Sequence, residues 1–455
     1  MARAGDKNRS MITHKITKGF DLRIKGAPAR EIADASEPAV VAVRPSDFPG
    51  IKPKLRVQEG DTVRTGDPLF YDKNRPDCVF VSPATGVVSR VVLGPRRLLL
   101  AVEVAVDKSD DFAPIPQVTP SSSRDEIVAA LLGAGLWPLV RQRPVGKIAD
   151  PATRPVAVFV NGMDTAPLAG DPGFALDGRG EDLQAGVDVL RRLTEGKVYL
   201  SVRPGGGAPV FQGLQGVEVH AFDGPHPAGL VGTHIHAIRP LKTGETAYAL
   251  RAEDVARIGV WARTGRYPAT RVVAVAGEQA MTRRYVRVRD GARLDALLGK
   301  THGAEDRVIC GTVLGGNAEP GDGFLGFYAN TVTVIAEGAH DRELFGWGLP
   351  QPKRLSMFRA VWPFPGKSEV SVDARMNGGP RPPVNIGAYE AVTPLGILPS
   401  FLMRAIQAND LDEALQLGLL EVTEEDVALC TVVDPCKNDV GAVIRKGLDL
   451  YERES

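Results

Sequence analysis

Between about residues 124 and 255 the pattern of the chain alternates. A helical run, DEIVAALLGAG, leads to an apolar strand run, PVAVFVNG. A longer helical run, EDLQAGVDVLRRLTEG, follows, and then come two more strand runs, KVYLSV and VEVHAF. Helix-period segments alternating with short apolar strands fold as a parallel α/β unit. Ser123 can cap the first helix, with Glu126 three residues on as its capping-box partner. This unit fixes the centre of the architecture, and the flanks are read outward from it.

Residues 1–37 read as a tail followed by first strands. The start, MARAGDKNRS, is polar and lacks the apolar core of a secretory signal. Residues 38–106 alternate short apolar runs with Gly, Pro and Asp punctuation, the pattern of strands and tight turns. The strings VQEGDTVRTGDPLF and VSPATGVVSRVV resemble the biotinyl/lipoyl-carrier sandwich. In carriers a hairpin lysine holds the cofactor. Lys73 in YDKNRPDC lies near that place, but Pro76 suggests a longer connection, so a structural copy of the sandwich is expected. A Pro/Ser linker, PIPQVTPSSSRDEI, closes the unit. Residues 256–345 read as a small α+β module, a β-grasp, and 346–388 as a Pro/Gly-rich connection. Residues 389–455 are helical, with a second capping-box pattern at Thr423 and Asp426.

Bulk properties narrow the function. Lys plus Arg equals Asp plus Glu, 55 against 55, so no excess of positive charge points to nucleic acid. Four cysteines, Cys78, Cys310, Cys430 and Cys436, are too few for a disulfide scaffold. The most apolar stretch, VVLGPRRLLLAVEVAV, is broken by two arginines and a proline. It falls short of the ~18–20 apolar residues of a membrane span. A partner would have to hold this chain at a membrane.

Several stretches invite chemistry. The first strand of the α/β unit runs into NGMDTAPLAGDPG, without the G-x-G-x-x-G of a dinucleotide site. VRPGGGAP is Gly-rich, yet no helix opens after it to lend a positive end to phosphate. Cys430 and Cys436 cannot complete an iron–sulfur cluster from their own segment. They read as one thiol packed on a helix and one near a turn, and Cys310 as strand core. LWPLVRQRPVGK sets Arg141, Arg143 and Lys147 beside Trp137, a donor-rich stretch for binding or for an interface. GPHPAGLVGTHIH holds His226, His234 and His236, three of the seven histidines. On a strand His234 and His236 would share one face, where they could serve a metal if further ligands came from elsewhere. The alternative is a Gly/Pro-rich loop whose histidines donate hydrogen bonds at an interface, and this is the preferred reading. No Ser/His/Asp order, HExxH or P-loop is present.

From Met11 onward the chain resembles the A subunits of the Na+-translocating NADH:quinone oxidoreductases. The matching blocks are KGFDLRIKGAP, VQEGDTVRTGDPLFYDK, SPATGVV, GLWPLVRQRPVGKIADP, FVNGMDTAPLAGDP, RLTEGKVYL, FDGPHPAGLVGTHIHAIRPL, FGWGLP, IGAYEAVTPLGILPSFLMRAI and EEDVALCTVVDPCKNDVG. The resemblance implies a carrier-like sandwich, a Rossmann-like domain, a ubiquitin-like β-grasp (SLBB-like) domain and a helical tail. It implies a hydrophilic, peripheral protein on the cytoplasmic side of a bacterial inner membrane, beside the membrane-embedded B subunit. The complex carries electrons from NADH through FAD, FMN, riboflavin and iron–sulfur centres to ubiquinone and moves Na+. The A subunit itself is implied to hold no cofactor, metal or catalytic residue, and to help form or reach the quinone site.

In the wider superfamily, the flavin-binding subunit of respiratory complex I has a run like GRGGAGFP. Here LLGAGLWPLVRQRP stands in its place, and Leu136 and Trp137 replace small residues. The C subunit of Rnf-type oxidoreductases has full cysteine runs, of which Cys430 and Cys436 remain. Asp434 stands where this family more often has cysteine. Arg141, Arg143, Lys147 and Trp137, with His226, His234 and His236, are the expected quinone or interface residues. The competing readings are an independent flavin- or nucleotide-dependent oxidoreductase and a ligand-free scaffold.

Overall fold

The computed structural model describes residues 11–299, 302–338, 369–376, 378–384 and 386–454. Most of the connection expected over 346–388, and the FGWGLP stretch before it, lie outside the described residues. The first strands, β1 (Ile12–Lys15) and β2 (Ala29–Asp34), build no unit of their own. β1 pairs in parallel with a strand at His220–Asp223, and β2 pairs with one at Arg284–Arg287. The N-terminal segment thereby ties two later sheets to each other.

Seven strands form the sandwich: β3 (Val40–Val43), β4 (Pro53–Leu55), β5 (Thr62–Val63), β6 (Pro68–Asp72), β7 (Arg75–Val81), β8 (Gly86–Leu93) and β9 (Leu99–Val106). They make two sheets, ordered β3-β9-β8-β5 and β4-β6-β7. Phe48 and Phe70 close on Phe80 at ring distances of 4.4 and 4.8 Å. Between β6 and β7 the expected longer connection is a turn of only Lys73 and Asn74. The Asp72 carboxylate explains it: Oδ1 accepts from the backbone N–H of Asn74 at 3.1 Å and of Lys52 at 2.9 Å. An aspartate that bonds the backbone two residues on closes a tight turn by itself. Pro76 then sits within β7, and Lys73 is exposed at the tip. The linker after β9 is docked, with Ile115 buried and the Pro116 carbonyl accepting from Trp261 Nε1 at 2.9 Å.

The α/β layer follows. Its elements are α1 (Arg124–Gly133), β10 (Arg141–Arg143), β11 (Lys147–Ile148), β12 (Ala157–Asn161), α2 (Pro172–Ala175), α3 (Gly180–Leu190), β13 (Lys197–Val202), β14 (Glu218–Asp223), α4 (Val231–Ile238), β15 (Ala247–Arg251) and α5 (Ala252–Thr264). The Ser123–Glu126 capping box opens α1. The sheet runs β1-β14-β13-β12-β15-β10-β11. Its first five strands are parallel, and β10 and β11 are antiparallel additions. α5 crosses the expected boundary at residue 255 because it packs on α3 at backbone contact. A Cβ on Gly186 would fall 2.0 Å from the Val255 carbonyl oxygen, and one on Gly259 would fall 1.7 Å from that of Asp182. Two glycines thus set the distance between these helices, and the layer ends near Thr264.

The next module has β16 (Thr270–Ala276), β17 (Arg284–Arg289), α6 (Leu294–Leu298), β18 (Asp306–Cys310), β19 (Asn317–Glu319) and β20 (Thr331–Ala336). Its sheet order is β19-β18-β20-β16-β17-β2. The C-terminal region packs α7 (Ala388–Val392), α8 (Pro399–Ala408), α9 (Leu411–Gln416), α10 (Ala428–Val433) and α11 (Val440–Glu454) around Leu402, Leu419, Ile444 and Leu448. Leu22 and Ile24 from the N-terminal segment join that core. The capping box at Thr423 and Asp426 forms. Among the described residues no helix is long and apolar enough to cross a membrane.

Candidate functional site

The His-rich stretch begins as a turn after β14 and continues as a helix. His226 is buried in the turn. Its backbone N–H donates to Asp21 Oδ1 at 3.0 Å, and its Nδ1 lies 3.1 Å from Thr165 Oγ1. Burial pushes its pKa down to about 4. His234 and His236 do not alternate along a strand. They sit on α4, where two residues subtend roughly 200°, so they face opposite ways. The reason is the spacing of Leu230, His234 and Ile235, whose burial follows a helical repeat that the two alternating histidines mask.

His234 points into the layer. Its Nε2–H donates to the Ala228 carbonyl at 2.9 Å, and its ring lies 4.3 Å from that of Phe222. Burial pushes its pKa down to about 3, so this ring is a neutral packing element. His236 points the other way, against the C-terminal helices. Its Nδ1 is 3.5 Å from Glu421 Oε2 without hydrogen-bond geometry, and that buried nitrogen has no other partner.

The basic stretch is drawn into the same seam. β10 and β11 form the edge of the α/β sheet, and the turn between them meets α11 and the segment that leads into α10. Arg143 is buried and donates through Nη1 to Asp426 Oδ2 at 2.7 Å and through Nη2 to Glu425 Oε1 at 2.9 Å. Burial works against its charge, but the two carboxylates outweigh that and raise its pKa above the ordinary value. Lys147 pairs with Asp449 at 2.9 Å and with Glu452. Arg445 crosses back to the Val145 carbonyl at 2.9 Å. Arg141 donates to the Gly146 carbonyl at 3.1 Å and lies over the Tyr328 ring at 5.5 Å. Trp137 is core, its Nε1–H donating to the Ala149 carbonyl at 2.8 Å.

Above this seam lies a groove of about 290 Å³. One wall is the β10–β11 turn with α4 and the loop that follows it, contributing Pro144, Val145, Ile235 and Leu241. The other is the C-terminal region, with Leu415, Leu420 and Tyr451. Gln142, Arg143, His236, Lys242, Glu245 and Glu421 supply polar groups. A cleft that combines an apolar wall with convergent polar side chains is a form a small-molecule site takes. Of the residues singled out in the sequence, Arg143 and His236 meet here. Arg141, Lys147, Trp137, His226 and His234 do not line the groove. Glu421, Glu425 and Asp426 were missed as site residues. Only Asp426 carried a local signal, its capping-box spacing from Thr423.

Other candidate chemistry has a structural account. Gly135, in the stretch aligned with a flavin loop, has φ 68° and packs on the sandwich, where a Cβ would come within 2.6 Å of Val81 Cγ1. Leu136 and Trp137 beside it are fully buried. Cys430 lies on α10, 3.4 Å from Thr393 Oγ1, and burial pushes its thiol up to about 12. Cys436 is buried near a turn and Cys310 within β18. Among the described residues no three or more His, Cys, Asp or Glu side chains come together as a metal site.

Three family profiles match. "NqrA N-terminal barrel-sandwich hybrid domain" covers residues 14–107. "NqrA second alpha/beta domain" covers 122–267, and "NQRA C-terminal domain" covers 272–319. The A subunit of the Na(+)-translocating NADH-quinone reductase of Neisseria meningitidis serogroup B is 39% identical over 446 residues, 97% of this chain and 99% of its own length. The protein of the same name from Actinobacillus succinogenes is 41% identical over 453 residues, 98% and 100% of the two chains. Among solved structures, a chain of an NAD+-reducing [NiFe]-hydrogenase superposes with a TM-score of 0.34 at 15% identity, covering 50% of this chain and 52% of its own, too slight a likeness to carry an argument.

Proposed function

The chain belongs to the NqrA family, the A subunits of Na(+)-translocating NADH-quinone reductases, and from that premise we propose that it works in such a complex by shaping access to the ubiquinone site. It sits on the cytoplasmic side of the bacterial inner membrane, held by the other subunits and by the membrane-embedded B subunit in particular. It carries no flavin, cluster or metal of its own. The burial of Leu136 and Trp137, and the use of Gly135 for packing, support that part of the reading. The strand orders support reading the α/β layer as Rossmann-like and the next module as a β-grasp.

The observation that carries the quinone role is the groove between α4 and the C-terminal helices. A quinone ring needs an apolar slot and one or two donors for its carbonyl oxygens. Ile235, Leu241, Leu415 and Leu420 supply the slot. His236 supplies a ring nitrogen with no hydrogen-bond partner, held near Glu421. With Nδ1 turned to Glu421, Nε2–H is the group that can donate one hydrogen bond to a carbonyl.

The test is steady-state ubiquinone reduction by the assembled complex carrying His236→Ala or Glu421→Gln. The expected result is a KM for ubiquinone raised about tenfold, the value of one lost hydrogen bond to a charged or polar partner, with assembly intact. Unchanged kinetics in an intact complex would remove the quinone role.

A scaffold without ligand is the second reading. The pairing of Arg143 and Lys147 with the chain's own carboxylates favours it, since those donors are already engaged. An independent flavin enzyme is tested by the absorbance of the purified chain, because bound flavin absorbs near ~450 nm through its own ring system.

A further inference from the structure

The most apolar stretch of the sequence, VVLGPRRLLLAVEVAV, is the β8–β9 hairpin, and its tip leaves large apolar side chains uncovered within the chain. Val88, Leu99, Val102 and Val104 point into the sandwich and are buried. Val87 near the base and Leu93, Leu98 and Leu100 at the tip remain 43%, 46%, 56% and 41% exposed. The solvent side of an antiparallel pair is ordinarily polar. Here the strands carry Ser89 and Arg90 outward, but the tip also exposes leucines.

The tip is built to project. The Gly94 N–H donates to the Leu98 carbonyl at 2.8 Å, closing the hairpin end. Arg96 and Arg97 both adopt left-handed backbone, at φ 56° and 60°. Two consecutive residues with side chains in that region are uncommon, and such strain persists where the surroundings hold it. Leu100 lies over Gly94, its Cδ1 3.0 Å from where a Cβ would stand, closer than ordinary contact.

The charge is one-sided. From Gly86 to Val102 the hairpin holds Arg90, Arg96 and Arg97 and no carboxylate. Among the described residues Arg96 and Arg97 have no ion-pair partner. Arg90 has only a loose contact with Glu103 at 3.9 Å, with its own side chain 65% exposed. Glu59, which accepts from the Val91 N–H, and Glu103, opposite Arg90, lie along the strands, and the turn from Gly94 to Leu98 carries only the two arginines as charged groups.

We propose that the β8–β9 hairpin is a membrane-contact finger whose ligand is an anionic phospholipid surface. Leucines enter the boundary between headgroups and acyl chains, and arginines lay their stems beside them while the guanidinium groups meet phosphate. A tip of exposed leucines and unpaired arginines, free of carboxylates, matches the chemistry of an anionic lipid surface. The contact would orient the chain on the bilayer independently of the groove.

Sedimentation of the purified full-length chain with vesicles tests this. One set is phosphatidylcholine alone, and the other includes phosphatidylglycerol. Binding is expected to the phosphatidylglycerol vesicles, weakening as salt is raised. Arg96→Glu with Arg97→Glu should weaken it about tenfold or more. Leu93→Ser with Leu98→Ser should weaken it about fivefold or more, since both leucines lose apolar burial. The thermal midpoint of both variants should match the parent, because the tip lies outside the core. Failure of the parent chain to bind anionic vesicles overturns the proposal, as does a leucine variant that binds like the parent. Loss of association with the membrane subunits by the variants, without vesicle binding by the parent, would make the hairpin a protein contact instead.

Discussion

The interior of the α/β layer and its seam with the C-terminal helices are held by opposite means. Inside the layer, β12, β13 and β15 are buried apolar strands covered by α3, α4 and α5. Their cohesion comes from apolar area removed from water and from close helix contact at Gly186 and Gly259. At the seam, Arg143, Lys147 and Arg445 reach across to carboxylates or carbonyls. Ion pairs of this kind are specific in direction but weak in net stabilisation, because desolvation offsets attraction. A cohesive interior therefore adjoins a seam that is registered by charge and leaves a cleft along its length. That contrast explains why the groove lies at the seam and not within the sheet.

Breaking the comparison at its strongest point means removing Asp426. Asp426→Ala leaves Arg143 buried with Glu425 as its remaining partner and should destabilise the C-terminal region by about 3–5 kcal/mol. Hydrogen exchange resolved by peptide should show α10 and α11 opening while β12–β15 stay protected. The converse change, Leu183→Ala on the buried face of α3, should cost about 3 kcal/mol and raise exchange in α3, α5 and the strands beneath. If both variants open the same peptides to the same extent, the two regions are one cooperative unit and the contrast fails.

A smaller effect separates the regions by pH. His226 is held down to about 4 by burial, whereas an exposed histidine titrates near ~6.5. The folded state stays neutral there while the unfolded chain takes up a proton. The contribution is full above pH ~6.5 and is lost as pH falls toward about 4. Asp164, pushed up to about 6 by burial, works with the opposite slope, so the difference between parent and variant is the quantity to measure. In His226→Gln, stability should fall less between pH 6.5 and 4 than in the parent, by an amount on the order of 2–3 kcal/mol. Equal pH slopes would mean that the histidine is solvated. The smallest effect belongs to Lys147. Its partners Asp449 and Glu452 are 44% and 37% exposed, so Lys147→Met should change stability by less than about 1 kcal/mol in a denaturant titration.

These differences follow what was legible in the sequence. The layer's strands and helices were, because each is a local period: PVAVFV became β12 and KVYLSV became β13. Both capping boxes were local as well. α4 was not, because GLVGTHIH satisfies a two-residue alternation of histidines and a helical spacing of apolar groups at once. Burial of Ile235 against the sheet decides between them. The Lys73 turn was misjudged because Pro76 is conspicuous and the capping carboxylate of Asp72 is not. The seam had no local signal. Arg143 and Asp426 are 283 positions apart, and nothing near either one says whether it meets water or the other. Arg143 and His236 stood out through the residue types of their stretches and the family resemblance, and the fold brings them to one cleft with Glu421.

Whether the cleft at this seam faces the quinone is read out by photo-crosslinking the intact complex with a light-activated ubiquinone analogue and mapping the labelled peptides. The predicted result is label on this chain within residues 231–246 and 415–421, diminished by excess ubiquinone. Label confined to other subunits, or on this chain only away from those segments, would contradict it.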